Sequence, residues 1–460
     1  MSASSDTHRK GISVVLSYWQ ECRRVVQLAT PLALTQLAQV AISTTDVIMM
    51  GWLGAGGLAA GGLAMFLFNL LRTMGFGMVV GVSNLVAQDE KHRDHILAAA
   101  LVIASLCALI AGMMMVYGPE LLLLIGQDSG LVSATADYLL WMAPGMFPCF
   151  WFYCYRGISV GERQTGILLT ITLVSVLVNG VLNYVFIKGL FGLPPLGLSG
   201  IAFASSLVFL FSFVAMALLV HRAKTIHLAR AFADGIGDPM RKLLKLGFPT
   251  AASYGSEAGF FVVVALLMGM IGTEALAAHT LVNQIIYIIF MISIGLSHAT
   301  SVGISEARGG KSTASLAIAG RTGFLVGLVL MMVIGVAYWI RPDVAVHLIM
   351  LKSGDQNPAV LTLAIQLMAV AAYLQIFDCL QNIGVGAMRG LGRAGISFWF
   401  TIAGYWLIGL PAAYGMGIAN AGGAVGIWQG LAIGLAATAV LQMAGFEFFQ
   451  RRITGRLAVE

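Results

Sequence analysis

Hydrophobic residues run in long blocks along this chain, and polar residues gather between the blocks. Windows of about 20 apolar residues, the helix length needed to cross the ~30 Å hydrocarbon core of a bilayer, recur twelve times. They fall at 28–50, 58–86, 96–118, 134–155, 165–187 and 199–220, then at 246–270, 275–304, 313–340, 359–387, 396–418 and 424–447. We number them spans 1 to 12. In lipid, backbone N–H and C=O groups must be paired internally, so each block predicts an α-helix. The predicted fold class is all-α and integral to a membrane, with twelve transmembrane helices.

Composition agrees: of 460 residues, 59% are hydrophobic and 10% charged, against roughly 25% charged in soluble domains. The opening residues are polar and mixed, without the short apolar core of a cleavable leader, so a retained N-terminal tail is expected. A net charge of +6 hints at nucleic acid until the basic residues are located. With both termini cytosolic, 22 of the 26 Lys and Arg fall at inner loops or inner helix ends. Lys188, Arg341 and Lys352 fall outside, and Arg72 lies within span 2. This asymmetry predicts an even number of helices with both termini inside. The positive charge is topology, and no nucleic-acid partner is expected. Cys22, Cys107, Cys149, Cys154 and Cys379 show no metal-ligand spacing and are expected as free thiols.

The chain also repeats itself. An ungapped shift of 218 residues lays Pro31 on Pro249, Gly77 on Gly295 and Ser83 on Ser301, and "YRG" (155–157) resembles "MRG" (388–390). Six helices followed by six in the same direction predict two lobes related as parallel repeats, an arrangement found in secondary transporters. The expected organisation is a cytosolic tail 1–27, an N-lobe 28–220 (spans 1–6), a basic cytosolic linker 221–245, a C-lobe 246–447 (spans 7–12) and a cytosolic tail 448–460.

Few acids lie inside the spans, and an intramembrane acid usually faces a polar interior and has a function. They are Asp46 in span 1, Glu257 in span 7 and Asp378 in span 10. At 1.5 Å per residue, Glu257 and Asp378 lie roughly 12 and 16 Å from the inner helix ends, at similar depth in one lobe, and can share a proton or cation. Asp46 lies roughly 22 Å up, at a depth like that of Asn179 and Asn183, whose spacing of four puts both amides on one helix face. Amides beside a carboxylate supply oxygen ligands to a cation or hydrogen bonds to a protonated acid. Arg72 sits too low to pair simply with Asp46 and is expected in a structural ion pair or snorkelled contact. His279 and His298 read as satisfied histidines at helix interfaces. "RGGKST" (308–313) lacks the first glycine of a phosphate loop, having Ser305 there, and joins two spans, so no ATP binding is expected. No catalytic motif lies in a span, and the chain is not expected to be an enzyme.

The stretches "TTDVIMMGWLG", "VLVNGVLNYVF", "LGFPTAASYGSEAGFFVVVALLMGMIGTEALAAHTLVNQ", "DCLQNIGVGAMRGLG" and "YWLIGLPAAYGMG" together resemble the MATE family of multidrug and toxic compound extrusion transporters, in its NorM-like branch. The resemblance implies two six-helix lobes around a central cleft in the bacterial inner membrane. It implies export of small cationic, often aromatic drugs and dyes in exchange for H⁺ or Na⁺, without another cofactor, by a monomer in contact with membrane lipids. Carried across, the coupling-ion and substrate acids are Glu257, Asp378 and Asp46. Asn179, Asn183, Gln284 and Tyr373 are supporting polar residues, and Pro31 is a helix kink. No metal site is certain, though Na⁺ at Glu257 and Asp378 is one alternative. Na⁺-using relatives can carry a tyrosine four residues before the span 10 acid; here Leu374 stands there beside Tyr373, which favours protons. The alternative function is a lipid-linked precursor flippase, which would want a cleft rich in Arg and Lys.

Overall fold

The spans fold as helices, and no β-strand occurs among the described residues. The computed structural model describes residues 3–120, 128–192, 194–223, 226–310, 312–342 and 358–457, with side chains for all of these except 3–16, 55, 313, 456 and 457. Lys224, Lys311, Lys352 and the outermost tail residues lie outside that description, as do the side chains of Arg9, Lys10 and Arg456. Among the described residues, eleven helices are long and apolar enough to cross a membrane. The exception is span 4, which divides into Ser129–Met142, a 3₁₀ turn Ala143–Gly145, and Met146–Gly161. Pro144 explains the division, because its ring clashes with the carbonyl four residues back and offers no N–H. Pro148 is tolerated in the first turn of the second piece, where that N–H has no helical acceptor.

Local chemistry sets several ends. Asp128 caps Ser129–Met142 by accepting from the Leu131 amide at 3.0 Å. Span 5, Thr165–Lys188, stops at Gly189, whose φ of 68° is left-handed. Spans 7 (Gly237–Ile271) and 8 (Thr273–Gly309) are joined by Gly272 alone. Spans 1 (Ala3–Gly51) and 7 stay helical across Pro31 and Pro249. Span 11 is irregular: Ala394–Ile402 widens into π-helix over Ala403–Gly409 and again over Gly415–Ala419, around Leu410–Tyr414. Pro411 would drive its ring into the Leu407 carbonyl in a regular helix, and a π-turn relieves that clash.

Packing divides the chain into two compact units, 34–255 and 1–33 with 256–460. The divisions fall inside spans 1 and 7, shortly after Pro31 and Pro249, rather than at the linker 221–245. Glycines explain this. In the first unit a Cβ on Gly77 would lie 2.6 Å from the Ala251 Cα, so span 2 (Gly54–Val79) and the N-terminal part of span 7 meet backbone to backbone. In the second, a Cβ on Gly295 would lie 2.8 Å from the Ala33 nitrogen, where the N-terminal part of span 1 meets span 8. These two glycines are the pair that the 218-residue shift superposes. The "YRG" and "MRG" matches have a similar origin. A Cβ on Gly157 would lie 2.7 Å from Val82 Cβ, and one on Gly390 would lie 2.7 Å from the Ser301 carbonyl oxygen.

Candidate functional site

In the first unit, span 5 carries one buried polar stripe. Thr172, Ser175, Asn179 and Asn183 recur at three- and four-residue steps and are all buried, so they share one helix face. Asp46, only 4% exposed, meets that stripe. Its Oδ1 accepts from Asn179 Nδ2 at 3.0 Å and from Asn183 Nδ2 at 2.7 Å, while Oδ2 accepts from Ser205 Oγ at 3.2 Å. All three donors are neutral, so among the described residues this buried carboxylate has no cationic hydrogen-bond partner. Such a site has electrostatic room for one positive charge, either a proton or a cation. Among the described residues Asn183 Oδ1 is buried without a hydrogen-bond partner, and an amide flip that exchanges Nδ2 for Oδ1 would make it an acceptor for a protonated Asp46. Tyr138, also buried, lies within electrostatic range of Asp46.

The second unit holds the other two acids. Asp378 is buried and Glu257 half-buried, and the two lie within electrostatic range of each other. Tyr405 of the first π-turn in span 11 is fully buried and lies within electrostatic range of both. Two contacts hold span 11 against span 7. Trp406 Nε1 donates to Ser256 Oγ at 2.8 Å, and the rings of Phe260 and Tyr405 stack with centroids 4.9 Å apart. Among the described residues, Asp378 Oδ1, the Tyr405 hydroxyl and both amide atoms of Gln375 are buried without hydrogen-bond partners. Gln375 precedes Asp378 by three residues and shares its face of the helix Pro358–Gly390. Buried polar atoms left unpaired cost roughly 1–3 kcal/mol each, and that cost falls when a bound ion, water or ligand pairs them.

The MatE family pattern matches residues 31–185 and 249–415, two segments whose starts are separated by the repeat's own 218 residues. The chain belongs to the MatE family. It is a transporter rather than an enzyme. "Probable multidrug resistance protein NorM" of Pseudomonas aeruginosa is 36% identical over 94% of this chain and 90% of that protein. The protein of the same name in Pseudomonas putida is 32% identical over 95% and 97%. A crystal structure described as MATE in the bent conformation superposes with a TM-score of 0.85 at 18% identity, over 97% of this chain and 99% of that one. That last likeness concerns the fold, and it agrees with the twelve predicted spans.

Within this MatE fold some predicted site residues are placed elsewhere. Tyr373 is 40% exposed, whereas Leu374 and Asp378 are buried. Adjacent helical residues point about 100° apart, so sequence neighbourhood to Leu374 does not bring Tyr373 to the acid, and the phenol near Asp378 comes from Tyr405. Gln284 is exposed, with no hydrogen bond to either acid. Arg156 and Arg389, counted among the inner basic residues, are buried. Arg156 lies 5.1 Å from the Phe76 ring centroid, and Arg389 Nε donates to Ser301 Oγ at 3.3 Å. His279 accepts from Trp428 Nε1 at 3.2 Å, and His298 lies 3.4 Å from Arg389, so both histidines are satisfied between helices. Arg72 is half-buried, 5.7 Å from the Phe68 ring centroid and hydrogen-bonded with Tyr153. Ser205, Tyr405 and Gln375 escaped the sequence reading. Of these, only Ser205 had a clue, since it stands seven residues before Ser212 in an apolar span and so shares a helix face with it.

Proposed function

We propose that this MatE protein is a multidrug efflux antiporter that exports lipophilic, often aromatic cations in exchange for H⁺, with Na⁺ as the alternative ion. The observation that carries the proposal is that all three intramembrane acids are buried or half-buried and none has an ion-pair partner among the described residues. A protein that retains three such carboxylates gains a site for a mobile positive charge. The multidrug resistance names of its relatives support a drug cation as one occupant. The coupling ion is the other.

A drug cation is held by Glu257 and Asp378, with Tyr405 and Gln375 pairing its polar groups and aromatic walls covering its rings. A proton taken up at these acids removes the negative charge and weakens that hold, so drug and proton compete and drug leaves as proton enters. Alternating access then carries each occupant across. Leu374, 1% exposed, puts hydrocarbon where Na⁺-using relatives can have a phenol oxygen, which favours the proton. The chain would act as a monomer in a bacterial inner membrane with both termini cytosolic. The test is a proteoliposome carrying a fluorescent lipophilic cation. An imposed pH gradient without Na⁺ is expected to drive its movement. Movement under a Na⁺ gradient alone would assign the coupling to Na⁺, and movement under neither would remove the antiport proposal.

A further inference from the structure

Arginines gather at one end of the second unit without matching acids. Arg308, the first residue of "RGGKST", closes the helix Thr273–Gly309 and lies half-buried over Gly392. A Cβ on Gly392 would stand 2.5 Å from Arg308 Nη1, and Gly392 is left-handed, with φ 72°. This seat brings Arg308 within electrostatic range of Arg393, the residue that follows Gly392. Like charges repel at such range, yet among the described residues neither arginine makes an ion pair. Glu306 stands two residues before Arg308 and so does not share its helix face. Glu447, on the helix Gly423–Leu457, is taken by Arg321 at 2.7 Å and by Arg451 at 3.8 Å.

Two aromatic rings extend the cluster to the protein surface. Arg393 Cζ lies 5.2 Å from the Phe449 ring centroid, and Arg452 Cζ lies 4.5 Å from that of Phe448. The two rings meet edge-on, with centroids 5.1 Å apart. Val440, Ala444, Phe448 and Arg452 follow one another at four-residue steps, and all four are exposed. They form one stripe along the helix, hydrocarbon at three positions and a guanidinium at the end. On a membrane-spanning helix, such a stripe meets an acyl chain along its length and a headgroup at the arginine.

We propose that Arg308, Arg393 and Arg452 bind the phosphate headgroup of one anionic phospholipid, with an acyl chain laid along Val440, Ala444 and Phe448. A phosphate between Arg308 and Arg393 offsets the repulsion between them, and its oxygens match the donor fork of a guanidinium. In the proposed topology the site lies in the inner leaflet. The inference concerns lipid binding alone, so it stands apart from drug export and needs no ion gradient.

The experiment measures binding of a fluorescent phosphatidylglycerol to the purified full chain in a neutral detergent. Unlabelled phosphatidylglycerol, phosphatidylcholine with the same acyl chains, and inorganic phosphate serve as competitors. Phosphatidylglycerol is expected to displace the probe at least about tenfold better than either of the others. Arg308→Gln and Arg393→Gln should each weaken the probe by about tenfold, the scale of a lost charge-assisted pair. Arg308→Lys should lose less, since it keeps the charge without the fork. Phe448→Ser should also weaken the probe, because it interrupts the apolar stripe. Arg222→Gln, which removes an exposed arginine of the first unit, should leave binding within about twofold. Arg393 is exposed, so its variant keeps the test open if Arg308→Gln fails to fold. The proposal is overturned if phosphatidylcholine competes as well as phosphatidylglycerol, which would make the surface an unselective lipid contact. It is overturned if inorganic phosphate competes as well and Phe448→Ser changes nothing, which would make it a site for free phosphate. It also falls if Arg393→Gln has no effect, or no more effect than Arg222→Gln.

Discussion

At the scale of single residues, the three acids differ in what surrounds them, and their variants should differ accordingly. Asp46 already receives hydrogen bonds from Asn179, Asn183 and Ser205. Asparagine at 46 keeps the shape of the protonated acid and cannot take up or release a proton. Asp46→Asn is therefore expected to abolish ion-driven transport of a monocationic dye while its equilibrium affinity changes by less than about threefold, since Glu257 and Asp378 still hold the cation. Parallel transport and binding assays check this, and loss of dye binding would make Asp46 a direct ligand for monocations. Glu257→Gln and Asp378→Asn should instead remove drug resistance and dye binding together in a protein still inserted in the membrane. Tyr405→Phe removes a buried hydroxyl that has no hydrogen-bond partner among the described residues. It should leave thermal stability unchanged or raise it, and lower transport; a clear fall in melting temperature would mean that the hydroxyl is bonded in the folded protein. The acids and the Asn pair were readable from sequence because charge and spacing in an apolar run are conspicuous. Tyr405 and Gln375 were not, because a tyrosine or glutamine in a span has no local sign of which side it faces.

At the scale of helices, most of the architecture was legible in the periodic blocks, because lipid leaves a spanning segment little choice but helix. What escaped were places where proline or glycine acts through a neighbour. Pro144 divides span 4, and Pro411 accompanies the π-turn that carries Tyr405. The matched glycines Gly77 and Gly295 were visible as a repeat, yet their purpose depends on which backbone reaches them, and that is a tertiary fact. Gly295 can be tested directly. A side chain there meets the Ala33 nitrogen at 2.8 Å and the Ala29 carbonyl oxygen at 2.9 Å, and backbone cannot retreat as a flexible side chain can. Overpacking of this kind costs about 1–3 kcal/mol. Gly295→Val should lower the melting temperature of the purified protein, while valine at Gly62, which has nothing within 4 Å of its Cβ position, should not. Equal behaviour of the two variants would show that span 1 is not packed this closely on span 8.

At the scale of the whole molecule, competition between drug and proton makes a statement about thermodynamic linkage. If a monocation binds only to the ionised form of the acids in the second unit, binding must expel whatever protons they hold, and protons must weaken binding by the same coupling factor. The signs follow. Adding drug should acidify a weakly buffered solution of the protein, and lowering the pH should raise the drug's dissociation constant. For one displaced proton, the dissociation constant rises up to about tenfold per pH unit over the range in which the acids are mostly protonated, and flattens above it. The mutants then assign the protons. Proton release should disappear in a Glu257→Gln, Asp378→Asn double variant. It should persist in Asp46→Asn, whose second unit is intact, even though that variant no longer transports. A pH-indicator titration measures the released protons, and dye binding across the same pH range gives the slope independently; the two must agree for the same number of protons. Drug binding with no proton release and no pH slope would mean that cation and proton occupy different carboxylates. In that case coupling would have to come from a conformational equilibrium that both ligands bias, without competition at a shared site.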